Sequence, residues 1–183
     1  MMISKTVSTT GVKKVCVIGP ECTGKSELSQ FLAKHYSCPC VDEYARAYLN
    51  KLGRNYEQFD LTKIAHGQIR MEDEWMSEAK NLMICDTNLL VIKIWSEHKY
   101  GQCDPEILLR LKERTYDLFL LTHIDVPWEE DPQREHPDKR EHFWYLFKNE
   151  LTQMGANVVE ISGPREERRK KAIDAIDSLL HHA

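Results

Sequence analysis

Five short apolar runs punctuate the chain, at 14–18, 39–41, 82–85, 118–121 and 158–161, with longer amphipathic stretches between them. Runs this short and unalternating predict strands covered on both faces, and strands interleaved with helices predict a mostly parallel sheet. After the first run, Leu28, Phe31, Leu32 and His35 recur at i, i+3, i+4 and i+7, which predicts a helix with one buried stripe. Asp60 reads as the N-cap of a long helix reaching about Ala79. Pro164, after Gly163, reads as the first residue of a C-terminal helix. The expected architecture is α/β, a three-layer αβα domain around a central five-stranded parallel sheet.

Residues 127–142, PWEEDPQREHPDKREH, break the alternation with three prolines and nine charged groups. The segment is either a solvated connecting loop or a lid carrying Arg134, Lys139 and Arg140 over a phosphate site. The rest of the chain decides between the two.

Composition narrows the class. The chain has 183 residues, with 29 Asp and Glu against 25 Lys and Arg and a net charge of -4. That balance argues against a nucleic-acid partner. Mean hydropathy is -0.53, and no apolar run approaches the roughly 18 residues of a membrane span, so no membrane partner is expected. Residues 1–12 are expected to be a flexible leader and 13–183 a single domain. Cys16 and Cys85 lie inside apolar runs and read as core, while Cys38-Pro39-Cys40 has the wrong spacing for a zinc or redox pair. With no export signal, a reducing cytoplasm is the expected location.

Residues 19–26, GPECTGKS, fit G-x-x-x-x-G-K-[ST] at every fixed position, after an apolar run and before an amphipathic stretch. Gly19 and Gly24 permit a tight turn whose successive N–H groups, through Glu21, Cys22 and Thr23, point at phosphate oxygens. Lys25 supplies the mobile charge for the β- and γ-phosphates, and the Ser26 hydroxyl a ligand for Mg²⁺. ATP and Mg²⁺ are the expected cofactors. Neither [NT]-K-x-D nor D-x-x-G occurs, so a GTPase is excluded. The remaining class is a small P-loop phosphotransferase, in which a short basic lid closes over the phosphates. The lid is expected at about 127–142, with Arg134 stabilising transferring charge and Arg140 approaching ATP.

Two acidic clusters follow strands, Asp42-Glu43 and Asp86, where ligands bind in open α/β sheets. Asp86 is the metal candidate. Glu43 is better placed to meet an acceptor, and either carboxylate could accept the hydroxyl proton.

With GPECTGKS, the runs VDEYARAYL (41–49), DLTKIAHGQ (60–68), ICDTN (84–88), PWEEDPQR (127–134) and ISGPREERRKKAI (161–173) make the chain resemble the ribosylnicotinamide kinases, the kinase domain of bacterial regulators of NAD biosynthesis. The resemblance runs from Val15 to Ile176. It implies transfer of the ATP γ-phosphoryl to the 5′-hydroxyl of nicotinamide riboside. Gly24, Lys25, Ser26, Glu43, Tyr44, Arg46, Asp86 and Arg134 occupy matching positions, and Trp128 and Asp131 match the lid. Asp42, Glu43, Tyr44, Arg46, Asn88 and Trp128 are then the expected substrate contacts, and Arg165 lies on the turn and helix that pass near the adenine. Many members of the family carry Asp where this chain has Asn88, which bears on acceptor or metal preference. No H-x-G-H adenylyltransferase motif is found, and a stand-alone kinase is expected. The alternatives are a kinase for another nucleoside or small alcohol, and a non-catalytic ATP-responsive module. The sequence leaves the oligomeric state open.

Overall fold

The computed structural model describes residues 11–181. Of the leader expected over 1–12, residues 1–10 lie outside the described residues. Five strands, β1 (Lys13–Ile18), β2 (Cys40–Val41), β3 (Leu82–Asp86), β4 (Leu118–Thr122) and β5 (Val158–Ile161), form one parallel sheet in the order β2-β3-β1-β4-β5. The strands fall on the five apolar runs.

Period-two alternation is hidden inside those runs because both faces are covered. Val15, Val17, Leu82, Ile84, Leu118 and Leu120 face α1 (Lys25–Tyr36) and α7 (Arg165–His181), where Leu28, Leu32, Ala172 and Ile176 complete one core. Cys16, Ile18, Met83, Cys85, Phe119 and Leu121 face the other way. They pack against α2 (Tyr44–Leu52), α3 (Gln58–Glu78), α4 (Leu89–Tyr100), α5 (Pro105–Glu113) and α6 (Arg140–Gln153), which carry Ala45, Leu61, Leu90, Ile107 and Phe147. Both cysteines are fully buried.

Three local expectations shift. The buried stripe of α1 is Leu28, Ser29, Leu32 and Ala33. His35 is exposed and stacks on the Phe31 ring at 6.0 Å, since α7 covers a narrower face than the spacing implied. Asp60 is not the N-cap of α3 but its third residue, in a capping box with Glu57. It accepts from the Glu57 N–H at 2.8 Å, Tyr48 Oη at 2.7 Å and the Arg54 guanidinium. Those donors hold its carboxyl well below the usual aspartate range. Pro164 stands one residue before α7, its carbonyl accepting the Arg168 N–H at 3.0 Å.

The register sets the active end of the sheet. Val17 pairs with Asp86 and Ile18 with Leu121, so Gly19, Asp86 and Thr122 emerge side by side.

Candidate active site

β1 leads directly into the phosphate-binding loop. Gly19 has φ 146°, and a Cβ there would stand 2.5 Å from Thr122 Oγ1 and 2.9 Å from the Thr122 carbonyl oxygen. Conformation and space both require glycine. Thr23, fully buried, braces the loop from within, its hydroxyl 2.7 Å from that of Thr122 and 2.9 Å from the Pro20 carbonyl. Gly24, at φ 78°, turns the chain into α1, so the free amides of the first helical turn face the loop. Lys25 folds back over it and donates to the Pro20 carbonyl at 2.6 Å.

Asp86 is the last residue of β3, 4% exposed. Burial pushes its carboxyl up, against a hydrogen bond from Ser26 and the charge of Lys25, which pull it down. Its Oδ1 is buried with no hydrogen-bond partner among the described residues. An orphaned carboxylate oxygen beside a serine hydroxyl is a pair of hard oxygen donors suited to Mg²⁺. Among the described residues no group of three His, Cys, Asp or Glu side chains forms a cage. That agrees with an ion that takes most of its ligands from phosphates and water. Glu43 ends the β2–α2 turn as the residue preceding the helix. Burial raises its carboxyl too; Lys25 and Arg46 lower it, Asp86 and Glu21 raise it.

Residues 127–136 fold over the loop, and the remainder of the expected lid is helical, a 3-10 turn at Pro137–Lys139 running into α6. Glu21 accepts from the backbone N–H groups of Glu135 at 3.1 Å and His136 at 3.2 Å. Cys22 Sγ accepts from the Glu129 N–H at 3.2 Å, and Arg140 donates to the Cys22 and Val126 carbonyls at 3.2 and 2.8 Å. On the far side Arg46 pairs with Asp131 at 3.0 Å, and Gln133 Nε2 donates to Asn50 at 2.7 Å. The segment expected to be a lid is therefore docked on the phosphate loop and on α2. Its three basic side chains stand among six carboxylates.

Beneath it lies a cleft of about 670 Å³, lined by Gly19, Lys25, Ser26, Glu43, Arg46, Arg134 and Arg165 among others. A second cleft, of about 390 Å³, opens between α2, α4 and the lid and shares Glu21, Leu49, Trp95 and Gln133 with the first.

Of the other expected contacts, Arg165 lines the cleft and Asp42, Tyr44, Trp128 and Asn88 do not. Asp42 points outward and accepts from Gln30 Nε2 at 2.7 Å. The Tyr44 ring lies on α3, against Gly67, where an added Cβ would stand 2.0 Å from Tyr44 Cε1. Trp128 lies between the guanidinium groups of Arg134 and Arg140, 5.9 and 5.7 Å from its ring, and donates to Glu130. Asn88 is 1% exposed and caps α4, accepting the Leu90 N–H at 3.0 Å. Arg165 lines the cleft while paired with Glu27 at 2.7 Å.

The sequence reading missed Arg168. It is 6% exposed. Its guanidinium donates to the carbonyls of Thr23 (2.8 Å), His123 (2.8 Å) and Gly163 (2.9 Å), and pairs with Asp125. One side chain thus ties the phosphate loop to the ends of β4 and β5. The signal was its spacing, since Arg168, Ala172 and Ile176 make the buried i, i+4, i+8 face of α7.

A family model described as an AAA domain matches residues 14–168. The chain belongs to that AAA domain family. Within it, the sequence is 26% identical over 166 residues to the trifunctional NAD biosynthesis/regulator protein NadR of Escherichia coli (strain K12), covering 85% of this chain and 39% of that one. To the NadR of Salmonella typhimurium (strain LT2) it is 26% identical over 129 residues, 67% of this chain and 31% of that one. This AAA domain therefore spans well under half the length of the curated relatives it matches. Its fold is similar to a crystal structure of NadR in complex with NR, with TM-score 0.78, 20% identity and coverage of 94% of this chain and 53% of that one. It is also similar to thymidylate kinase from Ehrlichia chaffeensis, with TM-score 0.59, 14% identity and coverage of 92% and 99%. The fold is that of the P-loop kinases. No helix among the described residues is long and apolar enough to cross a membrane.

Proposed function

We propose that this protein phosphorylates the 5′-hydroxyl of nicotinamide riboside with ATP, giving the mononucleotide. The observation that carries the reading is convergence. The phosphate loop, the Glu43 carboxylate and the lid arginine Arg134 line one cleft, Asp86 stands against Ser26 of the loop, and a second cleft beside the first offers room for an acceptor. The relationship to NadR, and the likeness to its structure with NR, favour this nucleoside over others.

The amides of residues 19–26 and the first turn of α1 bind the phosphates. Lys25 exchanges the Pro20 carbonyl for phosphate oxygens and, with Arg134, offsets charge that grows on the transferring group. Ser26 and Asp86 would hold Mg²⁺, which supplies Lewis-acid neutralisation of the phosphates. Glu43 takes the proton of the attacking hydroxyl on a carboxylate oxygen as the new O–P bond forms and the bond to ADP breaks. Arg46, one turn along α2, links that carboxylate's helix to the lid.

The test is single-turnover phosphorylation of nicotinamide riboside under saturating Mg·ATP. Mononucleotide is the expected product, with Lys25→Ala lowering the rate by about two to four orders of magnitude while the unfolding midpoint barely moves. Transfer to a different nucleoside alone would replace the acceptor; ATP binding with no transfer to any acceptor would replace the enzyme by a nucleotide-responsive module.

A further inference from the structure

Asn88 is bound up with Glu43 through a feature that neither residue shows alone. Its amide orientation is fixed, because Oδ1 must accept the Leu90 N–H that opens α4. Nδ2 is then a donor, and it is buried with no partner among the described residues. A buried amide donor left unpaired is destabilising, so a partner is expected for it. The Glu43 carboxylate, half-buried, is the acceptor that lines the same cavity as Asn88. It makes no capping hydrogen bond to α2, and what acts on it is burial and the charges of Lys25, Asp86, Arg46 and Glu21. The hydrogen bonds of Gln68 go elsewhere, its Oε1 accepting the Tyr44 N–H at 2.9 Å and its Nε2 donating to the Asp42 carbonyl at 3.4 Å.

Donor and acceptor line the same small cavity. It measures about 10 Å³ and is walled by Glu43, Gln68, Thr87 and Asn88 on the polar side and by Leu61, Val91 and Trp95 on the apolar side. About 10–15 Å³ is the room one water's centre needs, and a buried water needs two or more polar partners. The cavity shares Glu43, Ala45, Val91 and Trp95 with the nucleotide cleft but is too small for a substrate group, so a water is the occupant that fits.

We propose that Asn88 is a positioning residue, holding one ordered water that accepts from its Nδ2–H and donates to the Glu43 carboxylate, so that the cap of α4 aims the side chain facing the acceptor. The catalytic part of this rests on the reading of Glu43 as the base; the water site does not.

Two variants separate the donor from the cap. Asn88→Asp and Asn88→Ser both keep an oxygen able to cap α4, and Asp, Asn and Ser are about equal in that role. Asp adds charge and Ser does not; the Ser hydroxyl keeps an O–H, but one bond nearer the backbone and not in the place of Nδ2. Both are expected to keep the wild-type unfolding midpoint and the KM for Mg·ATP within about twofold, and to lose roughly tenfold in kcat. A full kcat in Asn88→Ser would overturn the proposal, including where Asn88→Asp alone is slow, since charge would then be the cause. The second readout needs no turnover. In the nucleotide-free protein, the Asn88 side-chain amide is expected to show a nuclear Overhauser effect to a long-lived water, lost in Glu43→Ala. Rapid exchange of that amide with bulk solvent would overturn the water site. If Glu43→Gln retained full kcat, the base assignment would fall, while the amide–water signal would still decide the site.

Discussion

Glu43 and Asp86 illustrate how burial sets the working range of a carboxylate. Both are pushed up chiefly by desolvation, and Lys25 opposes the shift in each. A base must be ionised, so the acid limb of kcat/KM is expected above the ordinary glutamate range. Glu43→Gln should lower kcat by about 10²–10⁴, and an acid limb at or below pH 4.5 would contradict the assignment. The same shift has a stability sign. A group that holds its proton more tightly when folded supports the fold below its unfolded pKa, and that support is lost as pH rises through the folded value. Glu43→Gln should therefore unfold at a higher temperature than wild type near pH 8, with the difference closing below about pH 4. Scanning calorimetry at both pH values checks it. Arg168 is the opposite kind of residue, one whose loss costs structure. Arg168→Ala leaves three carbonyls without this donor, while exposed Asp125 keeps the Gly163 N–H, and stranding buried acceptors costs about 1–3 kcal/mol. Urea unfolding should show a loss of that size. Glu43, Asp86 and Lys25 were legible because strand ends and a local motif place them. Arg168 was not, since a Glu-interrupted basic run reads as a solvated face until tertiary contacts identify its buried side.

Among the elements, the pairing of α2 with α3 turns on Gly67. Alanine is the better helix former by about 1 kcal/mol. Yet its Cβ would enter the Tyr44 ring at 2.0 Å from Cε1. Overpacking of this kind costs about 1–3 kcal/mol, so Gly67→Ala should destabilise on balance, and Tyr44→Ala in the same background should recover part of the loss. A stabilised Gly67→Ala would contradict the packing. Tyr44 thus acts on the site through the placement of α2, which local sequence does not reveal. The lid invites a second prediction. The exposed pair Arg46–Asp131 is worth at most about 1 kcal/mol, whereas Glu21 satisfies two lid amides with one carboxylate. Glu21→Ala should raise the rate of proteolytic cleavage within 127–136 several-fold, and Arg46→Ala much less. Equal rates would place the hold on the lid elsewhere. The segment's prolines and charge announced irregular structure, but its anchors lie more than 80 residues away in sequence and left no local trace.

At the scale of the whole molecule, the sheet was readable because apolar runs this short admit little else. The topology then followed from parallel pairing. What the pattern concealed was the allotment of alternate strand residues to two cores, Val15 and Val17 to one and Cys16 and Ile18 to the other. Uniformly apolar strands hide their period until helices on each side reveal it. The lid carries a consequence at this scale. Glu21 and Cys22, the loop residues between its two glycines, are also the residues that grip the lid, so the cradle and its cover share one pair of hinge pins. On the proposed kinase activity, ADP release requires those contacts to part, and the dwell time of ADP, rather than bond making, is expected to pace each cycle.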